Sequence, residues 1–555
     1  MTIITFLFFT ALVAILTWWF TRGTDVSTNE GYFLAGRSLT GVFIAGSLLL
    51  TNLSTEQLVG LNGGAFNDGL SLMCWEVIAG ISLVIMGLFF LPKYLKSGIT
   101  TVPQYLEERF GARVRAVAAM IFIVAYMLVL LPFVLYSGSK ALISMLDLKE
   151  STGLTEYQLI WIVISAIALL GGAYAILGGL KAIAVSDTFN GAGLLVGGLL
   201  VTVLAWNLVA DLDGSYAAAY DGIKSLHDGD ALQSMGKADE GTYWPTLFTG
   251  VLLLNFFYWS SNQQIIQRTF GAKNLAEGQK GVLIAAFFKI LAPLILIIPG
   301  IIAAYLVIEK QDAEMMERVG QKLNEKTNEM EWDTGNAYGA LVTRVLPPWL
   351  LGFFAAVIVG SILSTFNSVL NSAATLFSLD VYKKYINTNA NTQQVVRAGQ
   401  ICSILVGLLA VIASPLVFYG REKGIFDFFQ SLNGVYFIPL LAILLVGLFN
   451  KTINEKAALI TLFTGVAIMI VGTFFSGGDN GWVNSIFANG FHFMGAVFAL
   501  LIVLQFVLGA MGLRRDKPFA QKESKAVDIT PWKHAKLVGG TLIVFALFLY
   551  VFFAF

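Results

Sequence analysis

About fourteen long apolar stretches recur along the chain, each near the length that an α-helix needs to cross a bilayer. Where no water is present, every backbone N–H and C=O must be paired within the segment, which a helix achieves. The chain is 57% hydrophobic and 13% charged, with a mean hydropathy of +0.75, whereas soluble domains have roughly 25% charged residues. We therefore expect an all-α integral membrane protein. The stretches lie near residues 3–20, 39–62, 69–92, 113–145, 157–179, 184–208, 244–265, 279–308, 345–380, 396–419, 424–449, 456–476, 486–512 and 537–555.

Lysine and arginine are distributed unevenly between the loops. The loops after the odd-numbered stretches carry about twice as many as the alternate loops, and positively charged loops stay cytoplasmic. An even number of stretches then predicts that both termini lie outside the cytoplasm. We expect a multi-pass protein of the plasma membrane, the inner membrane of a bacterium. The first stretch has no basic segment before it and no small-residue cleavage site, so it is predicted to be a retained helix.

Composition also excludes several function classes. The net charge is zero, so no basic surface indicates a nucleic-acid partner. Cys74 and Cys402 lie in apolar stretches and predict neither a disulfide framework nor a metal site. No P-loop, HExxH or GxSxG motif is present, so no enzyme or ATP-driven pump is predicted. The expected surroundings are the lipid bilayer, with no obligate protein partner, and the long acidic loops 209–243 and 309–344 are expected to form small surface helices.

Polar side chains interrupt the middle of the second stretch, which membrane helices normally avoid. Such groups cost several kcal/mol in hydrocarbon unless they face protein or water. Broken helices of this kind bind ions and solutes in secondary transporters. The segment therefore predicts a discontinuous helix that lines a site. Its polar residues are Thr51, Asn52, Ser54, Thr55, Glu56 and Gln57.

Four ionisable groups remain at membrane depth: Glu56, Glu76, Asp187 and Lys289. Glu76 and Lys289 allow two interpretations. They could form a structural ion pair between two helices, or they could present an acceptor and a donor to a polar solute. Glu56 has no assigned solute or ion role, and the sequence allows it to brace the broken helix through a basic or amide partner such as Arg268.

Single amides deep in apolar stretches favour the solute interpretation, because an unpaired amide there is costly. Asn255 and Gln430 each offer a donor and an acceptor, which suits hydroxyl groups. Aromatic side chains near these amides suit the apolar face of a sugar ring, although they also pack in any membrane helix. These are Trp75, Tyr258, Trp259 and Phe426.

A stripe of hydroxyl groups follows one face of the ninth stretch. Ser361, Ser364 and Thr365 could form, with carbonyls of the broken second stretch, an oxygen cage for a hard monovalent cation. Because that cage has no carboxylate, it favours sodium over a proton. The rest of the stripe, including Ser368 and Ser372, is predicted to be a small-residue packing face.

Five segments carry a resemblance to a known family: GYFLAGRSL (31–39), NLSTEQLVG (52–60), YAILGGLKAIAVSD (174–187), FYWSSNQQIIQRT (257–269) and SILSTFNSVLNSAATLFSLDVY (361–382). With them the chain resembles the sodium/solute symporter family, in its sodium/sugar branch, which includes bacterial sodium/galactose symporters. The resemblance runs through nearly the whole chain. It implies a five-plus-five inverted-repeat core within a single transport domain. The repeats would be 39–208 and 244–449, with discontinuous second and seventh stretches and peripheral helices in 1–22 and 456–555.

The resemblance also implies roles for individual residues. The sodium (Na⁺) ligands would be Leu50, Leu53, Ser361, Ser364 and Thr365. The sugar-binding residues would be Gln57, Glu76, Asn255, Lys289 and Gln430. The inner gate would be Tyr258 with Trp259 beside it, and Trp75 would belong to the outer gate. Phe426 would be a further gate residue, and Asp187 would lie on the ion exit path. The chain departs from the branch at Ala79, where a sugar-contacting serine is expected, and at Trp75, where a gating tyrosine is expected.

These implications predict a sodium-coupled symporter that imports a hexose such as galactose or glucose by alternating access. The lost hydroxyl at Ala79 leaves the sugar open. Within the family, inositol or a sugar acid is the alternative substrate. From other classes, a passive channel or a membrane sensor remains the alternative.

Overall fold

The computed structural model describes residues 1–23, 28–237, 242–324, 329–420, 425–476, 481–521 and 523–554, with the side chains of 173–178 and 323–324 set aside. The first half of this described chain is helical throughout. Its α-helices are α1 Thr2–Thr21, α2 Asn29–Leu34, α3 Gly41–Asn52, α4 Thr55–Asp68, α5 Met73–Ile85, α6 Leu91–Ser97, α7 Val102–Arg109, α8 Ala112–Ala125, α9 Leu131–Met145, α10 Leu148–Thr152, α11 Glu156–Asp213 and α12 Tyr216–Ser225.

The second half adds one small hairpin to a further set of helices. They are α13 Gly250–Ser261, α14 Gln263–Phe270, α15 Leu275–Leu291, α16 Pro293–Leu296, α17 Ile298–Ile308, α18 Ala313–Val319, β1 Gln321–Asn324, β2 Glu329–Trp332, α19 Ala337–Val345, α20 Pro348–Thr375, α21 Thr392–Phe418, α22 Ile425–Phe449, α23 Glu455–Phe474, α24 Trp482–Phe487, α25 Gly490–Ala510 and α26 Ala535–Phe552. Short π-helical segments continue α5, α8 and α20 at Met86–Phe90, Tyr126–Leu130 and Leu376–Ile386.

Ten helices of the described chain are long and apolar enough to cross a membrane, or eleven when α15 and the segment Pro293–Ile308, bent by 44°, count as one span. The predicted all-α, multi-pass fold class is thus confirmed. The sequence count of about fourteen is higher because an apolar stretch that contains a broken helix still counts as one span, whereas its short pieces fail the length criterion for a helix that crosses a membrane. Two of the predicted spans contain helices too short for the length criterion, Gly41–Asn52 and Glu156–Gly172.

The second predicted stretch is broken where the polar residues begin. Helix α3 ends at Asn52, Leu53 has φ −73° and ψ 52°, and Ser54 is extended before α4 starts. The last four carbonyls of a helix have no intrahelical donor, so the break exposes main-chain oxygens deep in the protein. Helix α3 lies between α11 and α15. Gly46 permits the approach to α11, because a Cβ there would lie 2.6 Å from Thr188 Oγ1.

The seventh stretch is broken at Asn262, where ψ is 119° between α13 and α14. The Tyr126 hydroxyl donates to Asn262 Oδ1 over 2.5 Å and accepts from Gln264 N over 3.1 Å. One tyrosine thus satisfies polar groups on both sides of the break. Both discontinuities that the resemblance implied are present. The boundaries of the two repeats, 39–208 and 244–449, remain a prediction.

The range of α11 covers the fifth and sixth predicted stretches. It is a pair of helices that meet at a kink, because Gly179, with φ 62° and ψ −176°, is not helical, and its positive φ suits a residue without a Cβ. The loop 309–344 contains the expected surface helix, α18, but also the β1–β2 hairpin, which the sequence did not predict.

Candidate functional site

A cavity with about 470 Å³ of atom-free space lies between the two broken helices and helices α5, α15 and α22. All five residues predicted to bind sugar line it, and so do Trp75, Tyr258 and Trp259. The full lining is Asn52, Glu56, Gln57, Trp75, Glu76, Ala79, Leu130, Leu254, Asn255, Tyr258, Trp259, Lys289, Phe429, Gln430, Asn433 and Phe437.

Lys289 occupies the polar side of this cavity. Its ammonium forms an ion pair with Glu76 and donates to Asn52 Oδ1 over 2.5 Å. The Nζ atom also lies 5.6 Å from the centroid of the Trp259 ring, a distance suited to a cation–π contact. The two interpretations of Glu76 and Lys289 are therefore compatible, since the pair joins α5 to α15 and faces the cavity.

Amide side chains are oriented around the cavity by bonds to their own helices. Asn255, which lines the cavity, donates from Nδ2 to the Val251 carbonyl over 3.1 Å. Gln430 Oε1 accepts from Asn433 Nδ2 over 3.2 Å, and Asn433 in turn accepts from a tyrosine hydroxyl. The walls therefore present both donors and acceptors, as a polyol requires.

Aromatic contacts border the cavity at two ends. Near the second break, Tyr258 packs edge-on against Trp259 with centroids 5.1 Å apart, and the Tyr258 hydroxyl accepts from Gln264 Nε2 over 3.3 Å. At the end formed by α5 and α22, Trp75 packs edge-on against Phe426 at 5.4 Å. Phe426 does not line the cavity; it contacts Trp75, which does. The gating roles of these four residues remain a prediction.

The predicted sodium ligands converge where α20 meets the end of α3. Thr365 Oγ1 donates to the carbonyls of Thr51 over 3.0 Å and Ser361 over 3.3 Å. Ser364 Oγ is buried and lies close to the Asp187 carboxylate. Its lone pairs, beside the main-chain oxygens of the break, fit a hard cation.

The remaining members of the predicted ion site also adjoin the break. Leu50 and Leu53 are buried, Leu50 lies among the last four residues of α3, and Leu53 forms the break itself. The residues present therefore fit sodium, although the Ser361 hydroxyl donates to Ile358 O over 2.9 Å. For Ser361 the main-chain carbonyl is the better ligand.

Asp187 lies in a buried polar network below the ion site. It accepts from Ser47 Oγ over 2.5 Å, and the Arg268 guanidinium approaches it to 4.0 Å. Arg268 donates over 2.7 Å to Ser47 and to Thr51, and it also contacts Ser368. Ser368 is thus a polar partner and not only part of a packing face.

The same network shows that Arg268 is the wrong partner for Glu56. Arg268 does not bond to Glu56, because its donors are directed at α3, α11 and α20. The Glu56 carboxylate instead accepts from the hydroxyl of Ser54, two residues earlier.

Sequence reasoning missed several residues of the site. Asn52 and Asn433 line the cavity, and each orients a predicted binding residue. Asn52 belongs to the polar interruption, so its position was available as a signal. Asn433 lies three residues after Gln430, on the same helical face, and this spacing could have identified it.

Comparisons with known proteins agree with this geometry. The sequence model of the sodium:solute symporter family matches residues 32–465. The chain is 39% identical over 540 residues to the uncharacterized symporter YidK of Escherichia coli (strain K12), covering 97% of this chain and 88% of that protein. It is 31% identical over 474 residues to the sodium/glucose cotransporter of Vibrio parahaemolyticus, covering 84% and 83%.

A solved structure has a similar fold. It is a Na⁺-coupled sialic acid symporter in a substrate-bound, outward-open state, with a TM-score of 0.73 and 18% sequence identity. The match covers 94% of this chain and 99% of that one. At this identity the likeness establishes the arrangement of helices alone.

Proposed function

Because the chain belongs to the sodium:solute symporter family, we propose that it is a sodium-coupled symporter that imports a sugar, a hexose such as galactose or glucose, by alternating access. The observation that carries this proposal is the cavity beside the broken helix. There the Glu76–Lys289 pair, substrate-facing amides and aromatic rings enclose one small volume. A sugar has hydroxyl groups for the polar walls and an apolar ring face for the aromatic side chains.

The end of α3 provides a route for coupling between the two solutes. The carbonyl of Thr51 accepts from Thr365 on the ion side, and the next side chain, Asn52, accepts from Lys289 on the sugar side. An ion that orders this turn would position both contacts. Coupling requires that each ligand favour the conformation that the other favours, and adjacent residues of one unwound segment meet that requirement.

Sodium supplies enough free energy for uphill import. One positive charge that moves through about 100 mV contributes roughly 2.3 kcal/mol. At about 1.4 kcal/mol per tenfold change, this supports roughly 50-fold accumulation per ion before any concentration gradient is added. A single sodium site is therefore sufficient for active transport, with no need for a second energy source.

A cyclic polyol such as inositol is the second candidate substrate. Its ring of hydroxyl groups fits the same donors and acceptors, and a sodium/myo-inositol cotransporter of Bos taurus is 29% identical over 465 residues. Ala79 lines the cavity without a hydroxyl. A site that bonds a particular hydroxyl rejects analogues lacking it much more strongly than an apolar wall does, so Ala79 relaxes selection for one epimer.

Flux of labelled solutes into proteoliposomes tests the proposal. The panel consists of D-galactose, D-glucose and myo-inositol under an inward sodium gradient, with equimolar potassium as the control. Accumulation above the external concentration that collapses with a sodium ionophore supports the symporter. Equal, downhill-only flux in both salts would indicate a channel and overturn the proposal.

A further inference from the structure

A second carboxylate, that of Glu56, faces the cavity and has no part in the proposed ion site or in the sugar set. Glu56 lies in the first turn of α4, its side chain is 2% exposed, and it lines the cavity. The Ser54 hydroxyl donates a hydrogen bond to one oxygen of the Glu56 carboxylate. The other oxygen has no side-chain donor among the described residues.

The cavity wall holds more acidic than basic side chains. Of the described residues that line it, Glu56 and Glu76 are acidic and Lys289 is basic. Lys289 is paired with Glu76 and donates to Asn52. Glu56 lies in the first turn of α4 and has no such ion pair among the described residues. The wall therefore holds one carboxyl group for which it provides no paired cation.

We propose that Glu56 is a specificity-determining residue, whose carboxylate at the cavity wall selects sugars with a donor or a positive charge and rejects sugar acids. This inference rests on the proposed sugar-transport function and narrows its substrate class to neutral and amino sugars. It excludes the sugar-acid alternative that the sequence left open. The solved sialic acid symporter has a similar arrangement of helices, so the chemistry of the wall, and not the fold, must make the distinction.

Two physical effects act in the same direction. A hydroxyl or ammonium group that donates to a carboxylate makes a stronger hydrogen bond than one that donates to an amide. A second carboxylate placed in the same enclosed volume is repelled, and this repulsion weakens only slowly with distance where the dielectric constant is low. The discrimination therefore does not depend on which carbon of the sugar bears the charge.

The competing explanation is that Glu56 only holds the broken helix through Ser54. The two explanations differ at one variant, Ser54→Ala. This change removes the bracing hydrogen bond but keeps the carboxylate. A purely structural role predicts that Ser54→Ala and Glu56→Gln have the same consequences, whereas the proposal predicts that only Glu56→Gln alters selectivity.

Competition binding to the purified, full-length protein at saturating sodium tests the inference. The probes are D-galactose and D-glucose, their 2-amino derivatives in protonated form, and their uronic acids. For the wild type we expect the uronates to compete at least about tenfold more weakly than the amino sugars. Glu56→Gln should bring the two classes to within about twofold. Glu56→Asp and Ser54→Ala should keep the wild-type ratio, and Glu150→Gln, at an exposed glutamate, controls for loss of charge elsewhere.

Each outcome bears on the inference separately from the proposed function. If the neutral sugars bind and Glu56→Gln leaves the ratio unchanged, the inference is wrong and the symporter proposal stands. If Glu56→Gln does not fold, the wild type alone decides, because a uronate that binds as tightly as its neutral parent contradicts the inference. If no sugar of either series binds while sodium still stabilises the protein, the proposed sugar function itself fails.

Discussion

Thr365 in α20 donates a hydrogen bond to the main-chain carbonyl of Thr51, 3.0 Å away, where α3 is about to unwind. This contact joins the hydroxyl stripe of one helix to the break in another. The neighbouring Ser364 hydroxyl is also buried, and it lies close to the Asp187 carboxylate. The two hydroxyls together occupy the place where a cation would be held.

Removal of both hydroxyls should abolish sodium-stimulated uptake. We expect Ser364→Ala with Thr365→Ala to remove the proposed side-chain ligands while the packing of α20 is retained, because both side chains become smaller. Thermal unfolding with and without sodium measures whether the variant still binds the ion. The wild type should be stabilised by sodium in a concentration-dependent way, and the double variant should not respond.

Ser403→Ala is the matched control for this experiment. It removes a buried hydroxyl of α21 that donates over 3.2 Å to Leu370 O in α20, away from the break. Its sodium response should match that of the wild type. Undiminished sodium dependence in the double variant would contradict the assignment of the ion site.

The Glu76–Lys289 pair should affect both stability and binding, in separable ways. Lys289→Met leaves a buried carboxylate without its ammonium, and breaking such a pair typically costs about 3–5 kcal/mol. Adding Glu76→Gln removes the uncompensated charge and should recover much of that loss. Sugar binding should stay absent in the double variant, because both polar groups face the cavity.

Melting temperatures with and without sugar distinguish these effects. The single variant should melt well below the wild type, and the double variant should melt between the two. Protection by sugar should be lost in both. If the double variant is still protected by sugar as the wild type is, the pair is only structural.

The broad features of the fold followed from sequence because they depend on local hydrophobicity. The apolar stretches predicted membrane helices, and the polar interruption predicted the break after Asn52. The stretches 157–179 and 184–208 were predicted as separate spans, and Gly179 is where the two helices meet. The hairpin of β1 and β2 lies in a charged loop without the alternation that identifies strands.

The cavity residues were predicted largely through the family resemblance, whereas their partners depended on tertiary packing. Nothing in the sequence placed Arg268 beside Asp187, because they lie on helices far apart in the chain. For the same reason, the sequence pointed to Arg268 as a partner for Glu56, which is wrong. Composition and spacing identify which polar groups are buried, but the donor that each one meets is decided by how the helices pack.

Loss of the buried Arg268 side chain should destabilise the protein more than loss of any one of its hydrogen-bond or ion-pair partners. We expect Arg268→Met to lower the unfolding free energy by about 3–5 kcal/mol, because Asp187 then keeps a buried charge with no cation nearby. Addition of Asp187→Asn should restore part of the loss. Unfolding of the variants in matched detergent measures this. A double variant less stable than Arg268→Met would show that Asp187 does not depend on the guanidinium.

Lys140, in α9, connects the hairpin-containing loop 309–344 to the helices. Its ammonium pairs with Glu156 over 2.5 Å and with Asp333 over 3.1 Å.

Lys140→Met would leave two carboxylates close together without the shared cation, whereas Asp333→Asn leaves the pair with Glu156 intact. We therefore expect Lys140→Met to destabilise the protein by on the order of 3 kcal/mol, and Asp333→Asn by about 1 kcal/mol. Limited proteolysis of loop 309–344, together with melting temperatures, checks the order. Equal effects of the two changes would mean that Lys140 acts through Asp333 alone, and that Glu156 contributes nothing to the attachment of the loop.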